Sequence, residues 1–289
     1  MKKFKHILTA LVLSILFFQQ GLFAQTSGDT FAQALQTKQA NLTYIYSEAP
    51  GFASKVNGKV QGVCVAIMDD FEFFLLDKYG IKVTSTINTA HANNFTTYLE
   101  AVKKSNGGVF GLSNTTITSK RKAMYNFSPP YITNIAMLLT NKNVATLADM
   151  SKISETFAGK TAITIKGTTN EDFIKMIKSK YYPGLKIEYI NYFDQAMDKL
   201  VSSENYFASM DFTYYLDAIQ NNKPIKRHSA GDQAAEEFGI IMPKNSDWDK
   251  PFAEFLTEAY KNSSSYRKII AEQLGPNALK LLDAVAAGN

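Results

Sequence analysis

The chain has 289 residues, 45% of them hydrophobic and 20% charged, with a formal net charge of +5. These proportions exclude an intrinsically disordered chain, and the length suits two modest domains or one large one. A lone cysteine, Cys64, excludes an intramolecular disulfide, and loss of Lys2, Lys3 and Lys5 with the first 24 residues leaves a charge of about +2, which gives no ground for nucleic-acid binding.

Met1-Lys2-Lys3-Phe4-Lys5 is a basic start, 7–18 an apolar run, and Ala24 a small residue suited to cleavage before Gln25. Together these read as a secretory signal peptide over 1–24, because the apolar run is too short to span a bilayer. No cysteine stands at the cleavage point to carry a lipid, so release into a periplasm is expected. Residues 25–41 are polar and read as an exposed leader with at most a short helix.

From Leu42 the pattern alternates strand and helix. A strand is predicted over 42–46, a helix over 63–79 ending at Gly80, and a strand over 81–87. Asn94 is placed to cap a helix bearing Phe95, Tyr98, Leu99 and Val102, which leads through Gly107-Gly108 into an apolar run at 109–112. After a further apolar run at 135–140, a helix carrying Leu147, Met150 and Ile153 is expected. A strand at 161–165, a helix with Phe173, Ile174 and Ile177, a strand at 185–190, a helix at 193–201 and a strand at 206–210 follow. A short apolar strand over 238–242 precedes a nearly all-helical tail, 248–287, broken at Gly275-Pro276. Such alternation argues for parallel sheets covered by helices. Two α/β units, joined near 136–140 and 238–242, give two lobes connected twice.

Three stretches carry the chemistry. In the first, the 109–112 strand runs into Asn114-Thr115-Thr116-Ile117-Thr118-Ser119-Lys120-Arg121. Hydroxyls and backbone N–H groups leaving a strand can surround an oxyanion, and an arginine nearby supplies a planar fork suited to a carboxylate. Capping of a surface turn is the plainer reading of Arg121. In the second, Ile165-Lys166-Gly167-Thr168-Thr169-Asn170-Glu171 brings a strand through a glycine turn into a helix with a capping-box pattern, whose first N–H groups attract anions. In the third, Asp211 ends the strand after Met210, at the sheet edge where open α/β folds bind ligands, or else caps the helix from Phe212. The three histidines, His6, His91 and His228, show no metal-ligand spacing, and no nucleophile elbow, phosphate loop or dinucleotide fingerprint occurs.

The series Thr116-Ile117-Thr118-Ser119-Lys120-Arg121-Lys122 with Phe127-Ser128-Pro129-Pro130-Tyr131 resembles the signature of the family 3 extracellular solute-binding proteins, the polar amino acid receptors of ABC importers. The resemblance covers about 42–275 and includes Gly239-Ile240-Ile241-Met242-Pro243-Lys244-Asn245-Ser246 as a second crossover. It implies a two-lobed, type II periplasmic-binding-protein fold, with lobe 1 at 42–137 and 240–289 and lobe 2 at 138–239. It further implies that Arg121 holds the α-carboxylate of a bound amino acid, that Thr168 and Thr169 add the second lobe's share, and that Asp211 receives the α-ammonium. Phe52 and Phe95 would pack on the ligand side chain, Asn114 and Thr116 would add hydrogen bonds, and Glu48, Glu236 and Glu237 are candidate selectors of that side chain. The implied partners are a small polar ligand and an inner-membrane ABC permease. The protein would be a monomer without metal or other cofactor.

The chain departs from the family where two acids usually precede the first long helix. Gly62-Val63-Cys64-Val65-Ala66-Ile67 has neither, and Cys64 reads as a buried hydrophobe. The acid common before the threonine strand is also missing from Ser105-Asn106-Gly107-Gly108-Val109. Two other readings use the same fold: a cyclohexadienyl dehydratase-like enzyme, with Glu171 or Glu204 as general acid, and a soluble ligand sensor.

Overall fold

The computed structural model describes residues 25–287, so the signal peptide read over 1–24 lies outside the described residues. The first run of elements is α1 (Phe31–Thr37), β1 (Gln39–Tyr46), the hairpin β2 (Ser54–Val56) and β3 (Lys59–Gln61), α2 (Val63–Tyr79), β4 (Lys82–Asn88), α3 (Phe95–Lys104), β5 (Val109–Leu112), α4 (Ser119–Lys122), β6 (Tyr125–Phe127) and β7 (Ile132–Asn134). A second run follows: β8 (Ala136–Asn141), α5 (Ile153–Thr156), β9 (Thr161–Ile165), α6 (Thr169–Lys180), β10 (Lys186–Ile190), α7 (Phe193–Ser202), β11 (Tyr206–Asp211), α8 (Phe212–Gln220), β12 (Ile225–His228) and β13 (Glu236–Phe238). The chain then returns through β14 (Ile241–Pro243) to α9 (Asp249–Phe255), α10 (Glu258–Lys261), α11 (Ser264–Leu274) and α12 (Pro276–Ala287).

Two five-stranded sheets form the lobes, in the orders β4-β1-β5-β14-β6 and β10-β9-β11-β8-β12. Around β1 and β9 the pairing is parallel, and the chain's return strands β14, β8 and β12 pair antiparallel. All four residues of β5 and all six of β8 are buried, the continuous apolar signature of strands covered on both faces. Helix ends follow local chemistry. Gly80 closes α2 at φ 67°, the left-handed region that costs glycine nothing, and Asn94 caps α3 by accepting from the Thr97 N–H at 3.0 Å.

The two cores differ in kind. Lobe 1 is aromatic: the Phe71 ring lies 4.4 Å from Phe252, and Trp248, fully buried, packs near Phe71 and Phe110 at 6.3 and 6.0 Å. Each such ring contributes on the order of 3–5 kcal/mol against truncation to alanine. Lobe 2 closes one sheet face with aliphatic residues, a Phe157–Phe207 pair at 5.0 Å, and a buried histidine. His228 accepts from the Leu147 N–H at 3.0 Å and meets the Thr140 hydroxyl at 2.7 Å, so it ties the segment after β8 to the sheet. Burial lowers its pKa to about 4, which keeps the ring neutral.

Three sequence expectations differ from the structure. The passages between lobes lie at β7 and β13, which pair with each other, whereas 136–140 and 238–242 were expected to serve. A boundary at 137/138 therefore falls inside β8, a central strand of lobe 2. The apolar runs marked sheet interior, and the crossovers are three-residue strands too polar and short to stand out. The helix expected around Leu147 to Ile153 is largely irregular, with a 3₁₀ turn at Met150–Lys152 and one helical turn in α5. The 25–41 leader is docked: α1 has a full capping box on Thr30, Phe31 packs 5.2 Å from Trp248, and β1 already starts at Gln39.

Candidate ligand site between the lobes

β5, β9 and β11 all deliver their carboxyl ends to the cleft between the two sheets, the place where open α/β sheets bind ligands. There a cavity is lined by Phe95, Asn114, Thr116 and Arg121 from lobe 1 and by Thr168, Thr169 and Asp211 from lobe 2. The structure thus brings together seven of the eight residues marked in the sequence. Phe52 is the exception. It is fully buried in lobe 1, its ring edge-on to Phe238 at 5.5 Å and to Tyr131 at 6.2 Å, and it does not line the cavity. Its apolar character serves the core behind the site.

Arg121 is set in place by its own turn. The Thr118 hydroxyl caps α4 by accepting from the Arg121 N–H at 3.1 Å, and the guanidinium lies 5.4 Å from the Phe95 ring centroid. Nη1 donates to the Thr116 carbonyl at 2.8 Å and Nη2 to the Gly167 carbonyl at 3.0 Å. The second bond crosses between lobes, so Arg121 is more than a surface cap: it is buried and clasps both sides. Burial lowers its pKa from the ordinary value, opposed chiefly by Tyr98 and Glu236, and a guanidinium keeps its charge in proteins regardless. Gly167, at φ +82°, has the backbone that favours glycine and presents the accepting carbonyl.

On the lobe 2 side, the Thr168 hydroxyl caps α6 by accepting from the Glu171 N–H at 3.1 Å and donates to the Ile165 carbonyl at 2.8 Å. That hydroxyl is spent on the fold, so Thr168 serves the site by aiming the helix N-terminus. Only half of the expected box forms, since Glu171 accepts from the Gly167 N–H at 2.7 Å. Thr169 brings its hydroxyl to 3.5 Å from that of Thr116, across the cleft.

Asp211 closes the other end. Although it stands at the start of α8, its side chain makes no cap bond. The buried carboxylate accepts instead from Asn114 of lobe 1 and, at 3.0 Å, from Asn134 on the crossover, with Asn170 of lobe 2 as a third amide. Burial pushes its pKa up to about 7, with Glu236 adding to the rise and the three amides opposing it. Asn134 and Asn170 were not read from the sequence as site residues. Asn134 showed only as a polar amide beside Ile135 and Asn170 as one more polar residue at a helix start, and neither pattern alone separates a site from a turn.

Tyr192, Phe193 and Tyr214 add an aromatic wall that sequence reading also missed, with Phe193 and Tyr214 edge-on at 5.7 Å. Of the candidate selectors, Glu48 lines the cavity, Glu236 stands beside Thr116 and Thr169, and Glu237 is exposed elsewhere. Neither acid of the enzyme reading lines the cavity. Glu204 is exposed, and Glu171 pairs with Lys175 at 2.7 Å and accepts from Tyr189. Although burial works to raise the Glu171 pKa, Lys175, the Gly167 N–H and Tyr189 outweigh it and hold it below its ordinary value, the wrong direction for a general acid. Cys64 is buried with its pKa pushed up to about 12 by burial, an inert thiol. Among the described residues no group of three or more His, Cys, Asp or Glu is placed to hold a metal.

The cavity measures about 30 Å³, room for one or two waters, so admitting a larger molecule requires the lobes to part. The arrangement offers a permanent cation with hydroxyls at one end and an acid surrounded by amides at the other.

No protein-family model matches the chain, and no curated protein matches it in sequence. Solved structures do resemble it. An ancestral arginine-binding protein bound to glutamine aligns with TM-score 0.65 at 23% identity, over 81% of this chain and 98% of that one. The arginine-, lysine-, histidine-binding protein of the thermophilic bacterium Geobacillus stearothermophilus aligns with TM-score 0.65 at 19% identity, over 81% and 95%. An ancestral amino acid-binding protein, a precursor of cyclohexadienyl dehydratase, aligns with TM-score 0.62 at 19% identity, over 84% and 98%. At these identities the likeness shows the fold: the chain has the two-lobed architecture of the periplasmic binding proteins.

Proposed function

We propose that this protein is an exported receptor that captures an amino acid between its lobes and hands it to an ABC-type permease in the inner membrane. One observation carries the reading. Two lobes meet at a cavity with a buried arginine and two threonines at one end and a buried aspartate at the other. Opposite charges lining one cavity suit a zwitterion, whose carboxylate would face Arg121, Thr116, Thr169 and the N-terminus of α6, and whose ammonium would face Asp211. Binding would begin on lobe 1, where Arg121 is held by its own turn, and finish when lobe 2 swings in about β7 and β13. The amino acid binders among the resembling structures support the ligand class, and the reading of 1–24 as a signal peptide supports export.

Binding without catalysis fits the surroundings of Glu171 and Glu204, which keep both away from the cavity. The test is thermal unfolding of the protein lacking 1–24 against all amino acids, polyamines, dicarboxylates and prephenate. A ligand at 100 times its Kd adds about 2.7 kcal/mol of stability. We expect a clear shift with one group of amino acids. Shifts with none of them would overturn the reading, and a shift with prephenate alone would overturn it too and call for a turnover assay. Recovery of the chain from a periplasmic fraction, beginning at Gln25, would establish export, and retention in the cytoplasm would remove the permease from the proposal.

A further inference from the structure

The crossover strand β13 carries a charged side chain to the hydroxyls that are proposed to meet the ligand carboxylate. Glu236 Oε2 lies 3.4 Å from the Thr116 hydroxyl and 3.4 Å from the Thr169 hydroxyl. These two groups come from opposite lobes. Arg121 stands just behind, bonded to the Thr116 carbonyl, and its charge acts on Glu236. The donors assigned above to a ligand's carboxylate are therefore gathered around a carboxylate that the chain supplies itself.

We propose that Glu236 is an internal anion that draws the two lobes together over the hydroxyl cradle, and that a carboxylate ligand binds by displacing it. The position of Glu236 suits it to this part. It sits on one of the two segments about which the lobes turn, so it reaches both threonines without belonging to either sheet. Two carboxylates side by side in a corner of low dielectric repel strongly, so cradle and ligand cannot be shared. Ligand affinity then reports the difference between two anions in one site. The protonation of Glu236 enters that difference. Burial raises its pKa, against the pull of Thr169, Asn134, Arg121 and Thr116. Arg121 is the fixed cation facing it, and Asp211 is the acid within its electrostatic reach.

The ligand half of this inference rests on the amino acid reading; the closing half does not. With the amino acid that binds the wild type best, calorimetry on Glu236→Gln should show roughly tenfold tighter binding at pH 8. The gain should be smaller at pH 5 than at pH 8, because lowering the pH favours the protonated wild-type side chain, whose pKa burial raises. Taking the ratio of the two proteins removes the titration common to both. Equal affinities at both pH values would overturn the displacement step. Small-angle scattering of ligand-free protein tests closure: Glu236→Ala should have a larger radius of gyration than the wild type, and sodium acetate should draw it back. A variant as compact as the wild type would overturn the closing role. Should the wild type bind no amino acid, the functional reading falls, and the scattering comparison alone decides the role of Glu236. Glu236→Gln keeps the size and shape of the side chain, and a cooperative unfolding transition confirms that each variant is folded.

Discussion

At one end of the cleft a buried cation is held by two main-chain carbonyls; at the other a buried anion accepts from two side-chain amides, with a third amide, Asn170, beside it. Arg121 keeps its charge at every working pH, and its two acceptors belong to the backbone, so the end it marks is permanent. Asp211 has its pKa pushed up to about 7 by burial, so its charge is conditional. Three amides soften the cost of burying that carboxylate without supplying an opposite charge, and a ligand ammonium would supply it. The comparison teaches which end is built into the fold and which is completed by what binds there. Arg121 serves closure even by itself, through Gly167, while Asp211 is costly until it is paired.

The comparison breaks most sharply at Arg121. Its replacement by alanine should weaken amino acid binding by about 3 kcal/mol, roughly a hundredfold or more, because the carbonyls and the ligand carboxylate lose one donor together. Arg121→Lys keeps the charge and loses the fork, so titration calorimetry should place it between the two. Unchanged affinity in Arg121→Ala would remove this residue from the pose.

Asp211→Asn should weaken binding by about 1.5–3 kcal/mol, the worth of a hydrogen bond to a charged group. The same change should raise the stability of the ligand-free protein at pH 8, measured as the urea midpoint, since a buried charge is removed. Loss of both binding and stability would mean that Asp211 is structural.

The pH dependence follows with a definite sign. In the folded protein Asp211 binds its proton up to about pH 7, whereas an unfolded aspartate releases it near 3.9. Its contribution to stability is fully present below about pH 4 and is lost as the pH rises through about 7. Urea midpoints of the ligand-free wild type should therefore fall between pH 5 and pH 8, and this component of the slope should vanish in Asp211→Asn. An identical slope in both would assign it to other groups. The same linkage has an amino acid release a proton on binding below pH 7, seen as a buffer-dependent heat.

Thr168→Ala gives the smallest effect. Loss of the α6 cap should cost about 1 kcal/mol of stability. Because the hydroxyl is spent on Glu171 N–H and Ile165 O, affinity should fall only through the looser helix N-terminus. A loss of binding as large as that of Arg121→Ala would show that the hydroxyl itself touches the ligand.

Much of this was legible in the chain. Helix α2 runs from Val63 to Tyr79 and stops at Gly80 as its spacing and its glycine dictate, and β9 occupies 161–165 as read. Periodicity and caps are local, so they survive without knowledge of the partner. The crossovers were misplaced because β7 and β13 are three residues each and owe their form to pairing with one another, more than a hundred positions apart. Phe52 and Phe95 illustrate the limit at the site: both are aromatic residues beside polar turns, yet one faces Phe238 and Tyr131 in a core and the other faces Arg121. Nothing in composition separates them.

What the sequence determined by itself was the alternation of strands and helices, the hydroxyl-rich turn with its arginine, and the three strand ends that carry Asn114, Thr168 and Asp211. Those depend on side-chain pattern and capping within a few residues. Only the tertiary structure decided that Asp211 turns from its own helix toward three asparagines, that Arg121 reaches the Gly167 carbonyl across the cleft, and that Glu236 shares the threonine cradle. Each of these joins groups brought together by the packing of two sheets. Their energies come from burial and from charges meeting at short range, which a linear order of residues does not contain.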